Sequence, residues 1–407
     1  MAETSSGPSG RPSPEAKQLE LGADDLPFVE SVSPDNFDPP PQLPPPPPLE
    51  SGNEVATIRV FYGTDRRPTG SEKLNEFYGG DRGSLSVGFC DVSIPPNHKR
   101  GKLEAPSIWR FEIRENPNRH VMLRSVQPVD GATFVNSLRS TVSSSIRRVS
   151  VANEVREIGG EVFVFVHGYN VTFKDAARRT AQMAHDLEFP GVPVLFSWPS
   201  LGEGTLAGYR EDERSAEWCE EDVMDFVTVI AEQSGARRIH LIAHSMGNRV
   251  LTGVLRRLAY SYRSGNIPKF NEVILTAPDV DAETFKLAIA PRITGIADRF
   301  TVYASQNDVA LKASAVIHTD GTRLGQGGRY LTAFPRFRKI DMIDASNVDT
   351  SLFAVNHFYY GDSPTVLDDI ANVLIGARAE SRGLKTLIPK TAWRVPKRLS
   401  RLETLWR

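Results

Sequence analysis

Cysteine is nearly absent. Cys90 and Cys219 are the only two in 407 residues, which excludes a disulfide-built scaffold and any cysteine-based metal site. Long apolar runs are also missing: no window approaches the roughly 18 apolar residues that a membrane-spanning helix needs. Met1–Lys17 is polar and rich in Ser, Gly and Pro, with no apolar h-region, so it does not read as a secretory signal. Neither charge sign is in excess. A formal net charge of −2 gives no overall pull toward nucleic acid or a membrane. What remains is 40% hydrophobic and 24% charged sequence, long enough for one large domain or two ordinary ones. That is the composition of a globular protein with a sizeable core, and the expectation is a cytoplasmic location.

One stretch organises the rest. Ile239–Ala243 is a short apolar run of the kind that forms a buried central strand. It ends at Ala243-His244-Ser245-Met246-Gly247, after which Val250, Leu251, Val254, Leu255 and Leu258 mark the apolar face of a helix. A strand, a tight turn holding one serine and a helix make the nucleophile elbow of an α/β hydrolase. The residues two places either side of such a serine must be small, because larger side chains would collide with the neighbouring strand and helix. Gly247 meets this requirement, and Ala243 stands where a glycine is usual. The competing reading is a strand that ends in a polar turn, with Ser245 capping the next helix.

The remaining chain supplies a fitting context. Residues 1–52 form a Ser/Gly/Pro-rich segment with scattered acids and the run Pro39-Pro40-Pro41-Gln42-Leu43-Pro44 to Pro48, expected to be a disordered spacer with polyproline II character. Short β-prone runs follow at Ala56–Tyr62, Ser84–Ser93, Ile108–Ile113 and Val121–Val126, with Gly63–Arg66 and Pro95–His98 as turns between antiparallel leading strands. Asp130 has the position of a cap on a helix from about Gly131 to Ile146. From Val162 onward strand and helix alternate, which predicts a mostly parallel sheet with helices on both faces. The strands are Val162–Val166, Val192–Phe196, the elbow strand, Glu272–Thr276 and Phe300–Ala304. A helix opens at Thr172 with Asp175 three residues on, a long helix spans Tyr209–Gln233 with an acidic solvated side, and a last helix spans Pro364–Ile375. The expected domain is 53–377.

A nucleophilic Ser245 needs a base and an orienting acid, in chain order serine, acid, histidine for this fold. Of eight histidines only His318 and His357 follow the last core strand. His357, on the loop before the final helix, is the expected base; His318 is the lesser alternative. Asp308, beyond the end of Phe300–Ala304, is the expected acid, with Asp279 and Asp281 as competitors and Asp281 reading more as a helix cap. The oxyanion hole is expected from the backbone N–H of Met246 and that of Tyr169, with Asn170 as second choice for the latter. His167 and His244 read as structural hydrogen-bonders. The glycines of 321–328 lack the strand–helix context of a phosphate cradle and read as a flexible loop near the site. Nothing has metal-ligand spacing and no cofactor is implied.

Together, Phe61–Arg66, Val92–Pro95, His167–Asn170, Ser197–Pro199, Ala243–Gly247, Ala277–Asp281 and Arg323–Gly325 resemble a bacterial family of α/β hydrolases catalogued as a domain of unknown function and described as esterase/lipase-like. Their co-occurrence over about residues 55–375 is far more specific than any one block. The resemblance implies the α/β-hydrolase fold and supports Ser245, Asp308 and His357 by position; it supplies no substrate. The expected activity is hydrolysis of a small carboxylic ester or related acyl compound, with thioesterase, acyltransferase or an inactive scaffold as alternatives. Residues 378–407 fall outside the resemblance. They carry nine Lys and Arg against Glu380 and Glu403, interleaved with Trp393 and Trp406. Such a basic amphipathic tail suits an anionic membrane surface or an acidic partner; a solvated tail, or one folded back on the acidic helix, has the same composition.

Overall fold

Val162, Val164 and Val166 point to one side of their strand and Phe163 and Phe165 to the other, yet all five are buried. A strand with no polar face has to be covered on both sides. The computed structural model shows how. It describes residues 55–106, 115–151, 154–262, 270–318, 321–328, 331, 337–348 and 359–397, all within one compact unit spanning Pro45–Arg407. The strands are β1 (Ala56–Pro68), β2 (Tyr78–Ile94), β3 (Met122–Val129), β4 (Arg147–Val151), β5 (Glu154–Ile158), β6 (Glu161–Val166), β7 (Val192–Ser197), β8 (Arg238–His244), β9 (Phe270–Thr276), β10 (Ala297–Ala304), β11 (Ile340–Asp344), β12 (Lys385–Ile388) and β13 (Ala392–Arg394). The helices are α1 (Gly131–Ser145), α2 (Phe173–Asp186), α3 (Leu206–Trp218), α4 (Glu220–Gln233), α5 (Gly247–Tyr262), α6 (Ala282–Thr284), α7 (Ala290–Ile293), α8 (Val309–His318), α9 (Tyr359–Asp362) and α10 (Pro364–Leu374).

Among the described residues eleven strands form one sheet in the order β12-β13-β11-β10-β9-β8-β6-β7-β1-β2-β3, and β4 and β5 form a separate antiparallel pair. Neighbours from β1 through β7, β6, β8, β9, β10 and β11 to β13 are all parallel. Two apolar layers cover this sheet. Val162, Val164, Leu241 and Ala243 pack with Phe134 of α1, Phe226 of α4 and Leu251 and Val254 of α5. Phe163, Phe165 and Ile242 pack on the opposite face with Ala176, Ala177 and Ala181 of α2 and Leu367 and Ile370 of α10. Each of the Val, Leu, Ile and Phe side chains among them contributes about 1.5–3 kcal/mol by leaving water. Caps begin two helices as the sequence predicts: Thr133 N–H donates to Asp130 (2.9 Å) and Asp175 N–H to the Thr172 hydroxyl (3.2 Å). Val366 N–H donates to the Ser363 hydroxyl (3.4 Å) at the start of α10. Among the described residues no helix is long and apolar enough to cross a membrane.

Several sequence expectations change. Gly63–Arg66 is no turn but the continuation of β1, because β2 and β7 hydrogen-bond it from both sides, pairing Gly63 with Val87 and Phe196; ladder partners override local turn propensity. The leading strands β1–β3 are antiparallel to one another as expected, whereas β1 runs parallel to β7. The long helix is two, α3 and α4, divided at buried Cys219, and α3 starts earlier, where the Thr205 hydroxyl accepts the Gly208 N–H. β4, β5, α8 and β11 were not anticipated. The sheet also continues past the 377 boundary: β12 and β13 add to its edge, and Trp393 of the expected tail is buried. Residues 1–52, the run Ile108–Ile113, His357 and 398–407 lie outside the described residues.

Two buried charges test this architecture in opposite ways. Arg382, fully buried, docks the C-terminal segment by ion pairs to Asp369 (3.5 Å) and Asp341 (3.7 Å). Tyr303 donates to the same Asp369 oxygen at 2.6 Å and Arg299 to Asp341 at 2.9 Å. Arg382→Met leaves Asp369 without its cation and should cost about 3–5 kcal/mol in urea unfolding; a loss under about 1 kcal/mol means the segment docks on apolar contacts alone. Asp65 is the reverse case. Its carboxylate oxygens are buried with no hydrogen-bond partner among the described residues, and burial, aided by nearby Asp222, pushes its carboxyl up to about 8 against the opposing backbone, Arg66 and Arg82. The folded protein keeps this proton while the unfolded chain loses it near pH 4, so stability falls as pH rises through the window from about 4 to 8. Asp65→Asn removes that loss, and its stability relative to wild type should grow by roughly 3–4 kcal/mol between pH 5 and pH 8; an unchanged difference across that range refutes the buried proton.

Candidate active site

Strand order changes direction at β6. The chain passes from β6 through α2 to β7 on one side, then returns through α3 and α4 to β8 on the other. At such a switch the loops beyond the carboxyl ends of the two adjacent strands leave on opposite faces and open a crevice. Those two loops are His167–Asn170 after β6 and His244–Gly247 after β8.

Ser245 lies between these two loops with φ of 51°, a left-handed conformation that non-glycine residues rarely adopt. The turn is held from several directions. Ser245 N–H donates to the Thr276 carbonyl (3.0 Å), and the Ser245 carbonyl accepts from the N–H (3.0 Å) and side-chain amide (3.0 Å) of Asn248 and from Asp279 N–H (3.2 Å). The loops touch because two side chains are missing. A Cβ on Gly168 would lie 2.9 Å from both Ser245 Cβ and His244 Nδ1, and one on Gly247 would lie 2.3 Å from the His167 carbonyl oxygen. Ala243, where glycine is usual, fits with its methyl group fully buried in the layer under α5.

The backbone N–H groups of Met246 and Tyr169 have no hydrogen-bond partner among the described residues. Met246 precedes the first turn of α5, where the helix dipole favours negative charge. The N–H of Asn170, the second choice for an oxyanion donor, is bound by Asp212 at 3.2 Å. Asp212 turns inward from α3, the helix read as having an acidic solvated side, and also accepts from Ser200 Oγ (2.5 Å) and Leu201 N–H (2.8 Å). Arg66 braces the same loop from β1. Its buried guanidinium donates to the carbonyls of Val171 (2.7 Å), Ser200 (2.8 Å) and Gly79 (2.9 Å) and to Ser197 Oγ (2.9 Å). Sequence reasoning missed both roles; the block containing Arg66 was the only signal.

His167 is structural, as expected. It stacks on Trp198 (5.0 Å, 15°), whose indole N–H donates to the His167 carbonyl at 2.7 Å. Burial and then the Arg66 charge push its imidazole down to about 3, so it is neutral. His244 packs on Tyr360 with centroids 4.5 Å apart.

The aspartates separate clearly. Asp281 caps α6 by accepting Thr284 N–H at 2.7 Å. Asp279, buried, accepts from Tyr209 OH (2.5 Å) and Ser314 Oγ (2.7 Å) and pairs with Arg323 (3.4 Å) and Arg249 (3.7 Å). Burial alone would raise its carboxyl, but Arg249, these hydroxyls and Arg323 outweigh it and hold the group low. Asp308 lies beyond the carboxyl end of β10, where Leu311 N–H donates to it at 3.0 Å. The glycine-rich stretch is no flexible loop. Leu324 and Gly325 N–H donate to the Val280 and Pro278 carbonyls (2.8 and 2.9 Å), clamping it along Pro278–Asp281.

Residues 145–378 match a family described as alpha/beta hydrolase of unknown function (DUF900). Among solved structures, MenH from S. aureus is similar at 13% identity, covering 57% of this chain and 96% of that one with a TM-score of 0.29. A lipase-esterase related protein from Clostridium acetobutylicum is similar at 11% identity over 57% and 100%, with a TM-score of 0.31. The Pyrococcus furiosus esterase Pf2001 is similar at 12% over 57% and 91%, with a TM-score of 0.30. No curated protein matches.

Asp212 offers a direct test of how this loop is held. Asp212→Asn turns an amide donor toward N–H groups that now meet a carboxylate. Backbone amide exchange of Asn170 and Leu201 should accelerate about tenfold, from the loss of roughly 1–1.5 kcal/mol per hydrogen bond; unchanged exchange at both means Arg66 holds the loop without it.

Proposed function

Because the chain belongs to this family of α/β hydrolases, we propose that it is a serine hydrolase that cleaves a carboxylic ester or related acyl compound through Ser245, His357 and Asp308. The observation that supports this best is the left-handed Ser245 at the end of β8, pressed against the His167–Asn170 loop through Gly168. That strained turn is the backbone a nucleophile elbow requires, and it supports a reading in which the hydroxyl meets a carbonyl carbon beside backbone donors.

In this reading His357 takes the proton from Ser245 as its oxygen attacks the acyl carbon. The N–H groups of Met246 and Tyr169 hold the oxyanion, and His357 returns the proton to the leaving alcohol. Water activated by the same histidine then releases the acid. Asp308 orients His357 and stabilises its charged form. Asp308 is preferred to Asp279 because Asp279 is already engaged by two hydroxyls and two guanidinium groups, and its backbone N–H anchors the elbow. The acyl pocket and leaving group set the substrate, and the triad chemistry is the same for each.

Labelling with a fluorophosphonate, followed by mass spectrometry of the modified peptide, tests the assignment. The label should fall on Ser245 and vanish in Ser245→Ala. It should slow by roughly 10,000-fold in His357→Ala and Asp308→Asn. Asp279→Asn should lower stability while the folded fraction still labels. Absence of label in folded wild type, or a reversal of the two aspartates, overturns the proposal.

A further inference from the structure

At the amino ends of the strands, opposite the carboxyl ends where Ser245 lies, is a second cluster of chemically active side chains. α2 starts beside the loop after β6 and runs back, so that its last residues, His185 and Asp186, precede the amino end of β7. His98, in the turn after β2, reaches this helix end. His98 Nε2 is 2.8 Å from Asp186 Oδ1, and His185 Nδ1 is 3.5 Å from the same oxygen. The three ligand atoms all lie within 4.8 Å of one another, and the two imidazole rings meet edge to face at 5.2 Å.

We propose that His98, His185 and Asp186 form a binding site for a divalent zinc-class cation, with water in the fourth position. Bonds of about 2.0–2.1 Å in tetrahedral array put ligand atoms roughly 3.3 Å apart; the 2.8 and 3.5 Å spacings to Asp186 lie within about half an ångström of that, and the two imidazole nitrogens, at most 4.8 Å apart, close the rest on binding. Two imidazoles and one carboxylate suit zinc better than calcium or magnesium.

The surroundings carry the argument further than the three ligands. A metal-bound histidine characteristically donates its other ring N–H to a carboxylate, and His98 Nδ1 lies 2.8 Å from Glu104 Oε2. Glu104 is itself fixed by Lys99 N–H at 2.9 Å. The second oxygen of Asp186 accepts from Gly101 N–H (2.7 Å) and from the Gln182 amide, leaving Oδ1 turned toward the two imidazoles. His98 and Asp186 are buried, at 4% and 1% side-chain exposure, whereas His185 is 32% exposed and opens the site to solvent. A cation entering there replaces the proton on His98 Nε2, which leaves to water. It would fasten the 95–104 segment to the end of α2, away from Ser245 at the carboxyl end of β8, so the inference stands independently of the hydrolase reading.

The test is titration of the chelator-treated full chain with ZnCl2, followed by calorimetry and by thermal melting, and with CoCl2, followed by visible absorption. One zinc per chain should bind and raise Tm, and cobalt should give the intense d–d bands of a tetrahedral site. His185→Gln, at the partly exposed position where the fold tolerates the change, should weaken binding at least ~100-fold. Glu104→Gln should weaken it about 10- to 100-fold. No stoichiometric binding, octahedral cobalt spectra, or affinity unchanged in His185→Gln would show an ion-pair cluster only and overturn the proposal.

Discussion

Two missing side chains hold the functional region together. Because Gly168 and Gly247 have no Cβ, the loop after β6 and the turn after β8 meet at backbone distance. A Cβ at either position would lie under 3.0 Å from atoms of the facing segment, so one of the two would have to shift. The left-handed backbone of Ser245 can be kept only because the neighbourhood over-determines it. Thr276, Asn248 and Asp279 all bond its backbone.

Asp279 shows how separate sequence blocks become one structure. Tyr209 from α3, Arg249 from α5, Ser314 from α8 and Arg323 from the clamped 321–328 stretch all converge on its carboxylate. Its backbone N–H reaches Ser245, and its carbonyl accepts from Arg249 at 2.7 Å. A buried carboxylate without such partners would be expelled or protonated. With them it ties four elements to the elbow. Arg66 does the equivalent for the other loop with carbonyl partners. Burial and the cost of giving up hydration lower its affinity for the proton to about 10 without neutralising it.

The polar groups buried away from the crevice serve attachment. Arg382, Asp369, Asp341 and Tyr303 lock the C-terminal strands onto the sheet edge, and His98, Glu104 and Asp186 lock the segment after β2 onto α2. Both connect stretches that the apolar pattern alone would leave loosely placed. β12 and β13 are short, and their strand residues carry little apolar periodicity.

The sequence by itself determined the hydrolase fold, the central strands and the elbow. β6, β7 and β8 are continuous apolar runs that can only be buried on both faces, and the serine turn between strand and helix has a local signature. Caps at Asp130, Thr172 and Asp281 were legible for the same reason: each acts within three residues of itself. Tertiary structure decided what depends on distant partners. Gly63–Arg66 reads as a turn until β2 and β7 hydrogen-bond it into a strand. Asp212 reads as one more acid on a solvated helix until it is seen to accept the Asn170 and Leu201 N–H groups. Lys385–Arg394 reads as a basic tail until Arg382 meets Asp369, and His98 gains its partners on α2 across 87 and 88 residues. Local propensity and periodicity report on neighbours within a few residues, while charge pairing and edge-strand addition depend on which segments folding brings together.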